Sequence, residues 1–242
     1  MFENIIRKGF QVLTLHHAEA ILKHDMQTAA NELESVLTKI EIPIEELVRG
    51  GGGESQMTQR LRKELSDVLG WEKHNFEITK IVDGMEKESI SHEIDHVKVY
   101  PKGTFALEIE WNNKDPFYDR DLENFKRLHA EGVISIGAII TRGKSLQDNM
   151  RNLIEKFAVT NSIDRLEKLQ PYYNPTPRQI ELIERAIKSR GSFKKGWAHA
   201  FVSDKFGEAT THWRKLEDRV SRGVGNPCPL LLIGIPKNVV VF

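Results

Sequence analysis

Glu93-Ile-Asp-His-Val-Lys-Val-Tyr100, the turn Pro101-Lys-Gly-Thr104 and Phe105-Ala-Leu-Glu-Ile-Glu-Trp111 read as two strands joined by a short connection. Side chains alternate along a strand, so Glu108 and Glu110 share one face and Ile109 takes the other. Antiparallel pairing across the turn is expected to bring Asp95 beside the two glutamates. Three carboxylates among Ile94, Val97, Val99, Leu107 and Ile109 are costly in a dry interior. Their mutual repulsion raises their proton affinity unless a cation sits among them, and oxygen donors of this kind suit Mg2+ or Mn2+. Such a cation can polarise a phosphate and acidify water. The spacing by itself is loose, and a solvent-facing strand edge with scattered acids also satisfies it.

Upstream of this pair, Phe76–Val82 alternates as another strand. Gln56–Leu69 reads as an amphipathic helix with Met57, Leu61, Leu65, Val68 and Leu69 on one stripe, stopped by Gly70. Before it lie Arg49 and four glycines, Gly50–Gly53, a flexible loop; no Gly-Lys-Ser/Thr follows, so it is not a nucleotide-binding fingerprint. Phe10–Leu15 is a short strand, and Asp25 caps a helix with Met26, Ala29, Leu33, Val36, Leu37 and Ile40 on one face. Downstream, Asp119–Glu131 is a helix ended by Gly132, and Val133–Thr141 has the length of a buried strand. Helices follow around Leu146–Phe157, Ser162–Leu169, Pro177–Ser189 and Thr210–Arg222. Pro229–Ile235 is a further buried strand, and Val239–Phe242 an edge strand. Strands with intervening helices predict an α/β fold, a mixed central β-sheet flanked by α-helices.

The 242 residues suit a single domain, 1–242. Hydrophobic residues at 39% and charged residues at 29% exclude a disordered or collagen-like chain. No apolar run approaches the roughly 18 residues of a membrane span, so no membrane partner is expected. The opening Met1-Phe-Glu-Asn-Ile-Ile-Arg-Lys lacks the apolar stretch of a secretory signal. The single Cys228, flanked by prolines, excludes an internal disulfide and a cysteine-based zinc site, and points to a reducing cytosol. Net charge is zero, but residues 171–242 carry 12 Lys/Arg against 6 Asp/Glu. That asymmetry fits a protein that holds phosphates with one part and metal cations with another; chance scatter over a solvated surface is the plain alternative.

Glu93–Gly143 resembles the BglII/BstYI-like type II restriction endonucleases. The residues that carry the likeness are Ile94-Asp95-His96-Val97, the run Ala106 to Phe125 with Glu108-Ile-Glu110-Trp-Asn-Asn-Lys114, and Ile139-Ile-Thr-Arg142-Gly143. Weaker likeness reaches Trp71, Thr210-Thr-His-Trp213 and Cys228 to Gly234. The resemblance implies a restriction-endonuclease-like core, a Mg2+-dependent homodimer (with Mn2+ able to substitute) and hydrolysis of short palindromic double-stranded DNA, in the cytoplasm of a prokaryotic cell. It implies metal binding by Asp95 and Glu108. Glu110 falls where many nucleases of this kind have lysine, and is expected to act as general base or to bind a second metal. One of Glu72, His74 and Asn75 is expected to support the site, whereas Glu64 is read as solvated. Helices near Asp119–Glu131 would form the dimer interface, by analogy. Related enzymes favour a central GATC. A repair or junction-resolving nuclease on the same fold, and a non-catalytic DNA-binding protein, are the alternatives.

DNA contacts are expected from several segments. Asn112, Asn113 and Lys114 follow the acidic strand; asparagine reads adenine and lysine holds phosphate, although a polar turn is the other reading. Arg142 and Lys144 follow the next strand and fit either role. Lys194 and Lys195 lie in the basic, aromatic stretch Ser189–His199, within a DNA-binding arm at 170–210; alternatively Phe193 and Trp197 anchor an ordered loop to the core. His212 is read as structural or as a phosphate donor. The glycines at 50–53 are expected to be a mobile segment that lets the protein open around a duplex.

Overall fold

The computed structural model describes residues 1–50 and 53–242. Gly51 and Gly52, half of the expected mobile segment, lie outside the described residues. Alternation in one strand, Gly103–Glu110, governs the layering. Phe105, Leu107 and Ile109 join one hydrophobic core and Ala106 joins the other, with Glu108 and Glu110 on the alanine's side. Helices cover both sides, so the two glutamates are buried although they stand on an ordinary alternating strand.

The six-stranded sheet runs in the order β1 (Gln11–Leu15), β7 (Leu230–Ile235), β6 (Ile136–Arg142), β5 (Gly103–Glu110), β4 (Met85–Tyr100) and β3 (Glu72–Val82). Strands β5, β6 and β7 are parallel, while β1, β4 and β3 pair antiparallel with their neighbours. A separate parallel pair joins β2 (Ile42–Pro43) to β8 (Val240–Val241). The larger core gathers α1 (Glu3–Arg7), α2 (Ala18–His24), α3 (Gln27–Thr38), α4 (Ile44–Val48) and α5 (Gln56–Lys63). The opposite core lies under α6 (Phe117–Ala130); α7 (Lys144–Thr160), α8 (Pro177–Arg190) and α9 (Phe193–Lys205) return to the first side, and α10 (Trp213–Ser221) to the second.

Three elements differ from expectation. Strands β3 and β4 form one long hairpin turning at Asp83-Gly84, whose outer half is exposed on both faces. With nothing to pack against, Glu86–Ser91 carries no apolar alternation. Residues 162–169 hold only a short 3-10 turn, Leu166–Leu169. The stretch Ser189–His199 is not a loop: Gly191 ends α8 in the left-handed region, and the Ser192 side chain caps α9. Gly196 lies inside α9 because a Cβ there would sit 2.6 Å from the Ile187 backbone nitrogen, so it allows the two helices to touch. The expected arm at 170–210 is thus largely a helical hairpin seated in the main core through Trp197 and Ile183.

Candidate active site

Glu108 and Glu110 meet a third carboxylate from α6. Tyr118, Leu122, Phe125 and Leu128 form the buried stripe of that helix, and Asp121 sits within it, fully buried. Its Oδ1 accepts the Arg120 guanidinium at 2.7 Å, and the same Arg120 Nη2 lies 3.7 Å from Glu110 Oε1. Asp121 Oδ2 has no donor unless Glu110 carries a proton. Glu110 Oε2 accepts Asn113 Nδ2 at 2.8 Å. Burial and then Asp121 push the Glu110 carboxyl up to about 8. Glu108 is held well above the ordinary carboxylate range by burial, then by Asp121, Asp95 and Glu110. Burial likewise raises Asp121, against the opposing pull of Arg120.

Asp95 comes from the neighbouring strand β4, at the level of Glu108. Glu72 pairs with Val97 and His74 with Ile94, so β4 has one residue more than β3 at this point. Ile94 and Val97 both pack in the α6-side core, while Asp95 and His96 between them both line a cleft. This bulge opens Asp95 to the cleft, so the acid buried against the two glutamates is Asp121 rather than Asp95. Asp95 is exposed, yet its charge still acts on Glu108. Among the described residues no three His, Cys, Asp or Glu side chains form a group able to hold a metal ion. The donor chemistry nevertheless fits a hard divalent cation. Among the described residues Glu108 is buried beside other acids, and an Asp121 oxygen lacks a donor.

The cleft has a volume of about 950 Å3, and its walls include Asp95, Asn112, Asn113, Arg62 and Lys73. The family model of the restriction endonucleases BglII and BglIII matches residues 10–235. The chain belongs to that family. No curated protein matches it. For a restriction endonuclease of the BglII/BglIII family, which binds and hydrolyses DNA, a cleft of this kind beside buried acids is the place to seek the reaction. Among the described residues no helix is long and apolar enough to cross a membrane.

The remaining expected residues fall in different places. Asn112 and Asn113 line the cleft, whereas Lys114 is exposed beside it in sequence and bridges to Thr210. Arg142 is fully buried; its Nη2 donates to the Thr211 carbonyl at 2.7 Å and to Thr210 Oγ1 at 2.6 Å, and it lies over the Phe206 ring. Its expected DNA contact is therefore corrected to tethering of the 206–212 segment. Lys144 is exposed at the start of α7, and Lys194 and Lys195 occupy the first turn of α9; none of the three is among the described cleft-lining residues. His212 is fully buried, with Nε2 3.5 Å from Glu208 Oε2, a structural position. Cys228 is buried. Glu72 and His74 share the α6 side of β3, while Asn75 accepts a bond from Ser91 Oγ on the other side. Sequence reading missed Asp121 and Arg120. Their signal was an acid inside the apolar stripe of a helix, with a cation before it.

Proposed function

We propose that this restriction endonuclease is a type II site-specific deoxyribonuclease, cutting a short palindromic duplex with Mg2+ and leaving 5′-phosphate and 3′-hydroxyl ends. The observation that carries the reading is the set of buried, mutually repelling carboxyls Glu108, Glu110 and Asp121 next to a cleft that bears Asp95. Asp95 and Glu108 would hold the cation, Mg2+ or in its place Mn2+. Bound there, it would withdraw charge from the scissile phosphate and acidify the attacking water.

Glu110 takes the proton of that water as general base. Arg120, itself held by Asp121, steadies its carboxylate from the helix side, and Asn113 holds it from the cleft side. Asn112 and Asn113 are placed to read base edges, and Lys114 to hold the backbone. A twofold homodimer would present two such sites to the two strands of a palindrome. The enzyme would work in a prokaryotic cytoplasm.

Digestion of plasmid DNA with and without Mg2+ tests this. Discrete fragments that need Mg2+ and carry 5′-phosphates are expected. Cutting confined to branched junctions would replace the reading with a resolvase, and binding without any cutting would replace it with a non-catalytic DNA-binding protein.

A further inference from the structure

We propose that Lys73 is the phosphate-contacting cation of this active site, reaching it from the strand beside the acids; the proposal rests on the nuclease reading above. Lys73 stands on β3 opposite the Asp95–His96 bulge, since its neighbours Glu72 and His74 pair with Val97 and Ile94. Those neighbours share the α6 side, so Lys73 turns away from it, and it lines the cleft together with Asp95. Its ammonium is 2.6 Å from Glu93 Oε1, with both side chains more than half exposed. An ion pair so open to water is weak and exchanges readily for a phosphate oxygen. The charges of Glu93, Asp95 and Glu108 all act to keep Lys73 protonated.

The other cations of the cleft are committed or badly placed. Arg62 is held by both oxygens of Glu54, each at 3.0 Å. Lys205 donates to the carbonyls of Leu47 and Arg49. Arg49 lies at the end of α4 and not on the strands that carry the acids. Arg120 is engaged by Asp121 and Glu110. A phosphodiester entering beside Asp95 brings one more negative charge to an acidic site, and Lys73 is the cation that the geometry leaves to meet it. In hydrolysis the water oxygen bonds phosphorus and the P–O3′ bond breaks. The water's proton passes to Glu110 and O3′ takes one from solvent. Charge builds on the phosphoryl oxygens in the transition state, so an ammonium on them raises the rate more than it raises affinity.

The test compares wild type, Lys73→Met, Lys73→Arg and Glu93→Gln on a plasmid whose wild-type fragments are mapped. Single-turnover cleavage in Mg2+ is measured beside binding of a duplex fragment spanning one mapped cut, in Ca2+. Lys73→Met should slow cleavage about 100-fold or more while affinity changes by no more than about 3-fold. Lys73→Arg should restore most of the rate, and Glu93→Gln should cut as wild type does. Wild-type cleavage by Lys73→Met overturns the proposal. So does an equal loss in Glu93→Gln, which would make the ion pair merely structural. Failure of the wild-type enzyme to cut at all sinks the nuclease reading instead.

Discussion

Glu110 and Asp121 compete for a proton in a place from which water is largely removed. Because their folded proton affinities are raised, the folded chain holds protons that the unfolded chain has released. The stability they contribute is full below the ordinary carboxylate range and is lost as pH rises through the folded value, about 8 for Glu110. Metal-free protein should therefore melt at falling temperature from about pH 5 to about pH 8, and Glu110→Gln should flatten that fall. Thermal scans across this interval check it; a flat wild-type profile would remove the coupling. Asp121→Asn takes away a repelling charge, so the rising limb of the pH–rate profile for cleavage should move to lower pH. The glutamates were legible because strand alternation sets their common face. The bulge that opens Asp95 to the cleft was not, because a single extra residue in β4 leaves no trace in composition.

Helix α6 holds Asp121 against the sheet by close packing. A Cβ on Gly137 of β6 would stand 2.6 Å from the Phe125 ring, which is fully buried and cannot turn aside. Gly137→Ala should cost about 1–3 kcal/mol in urea unfolding and, by lifting α6, slow cleavage as well. The strongly periodic helices were readable because their apolar stripes repeat; α6 and α7 were expected within a few residues of where they stand. Helix α8 was read equally well, but α9 was not, because Gly191, Ser192 and Gly196 look like loop chemistry. Their actual duties are one helix stop, one helix cap and one close helix contact.

Across the whole molecule, the excess of basic residues over 171–242 is expected to give DNA binding a strong electrostatic part. Affinity for duplex should fall steeply between about 50 and about 200 mM salt, measured by anisotropy in Ca2+. The mixed sheet was legible as a set of apolar runs, although its order, with β7 between β1 and β6, is written only in long-range pairing. The outer half of the β3–β4 hairpin stands clear of both cores, with Lys80 and Lys87 near its tip. Trypsin should find these two lysines early and clip the tip away. The base of the hairpin would stay paired, so the nicked enzyme should elute like the intact one and separate only under denaturant.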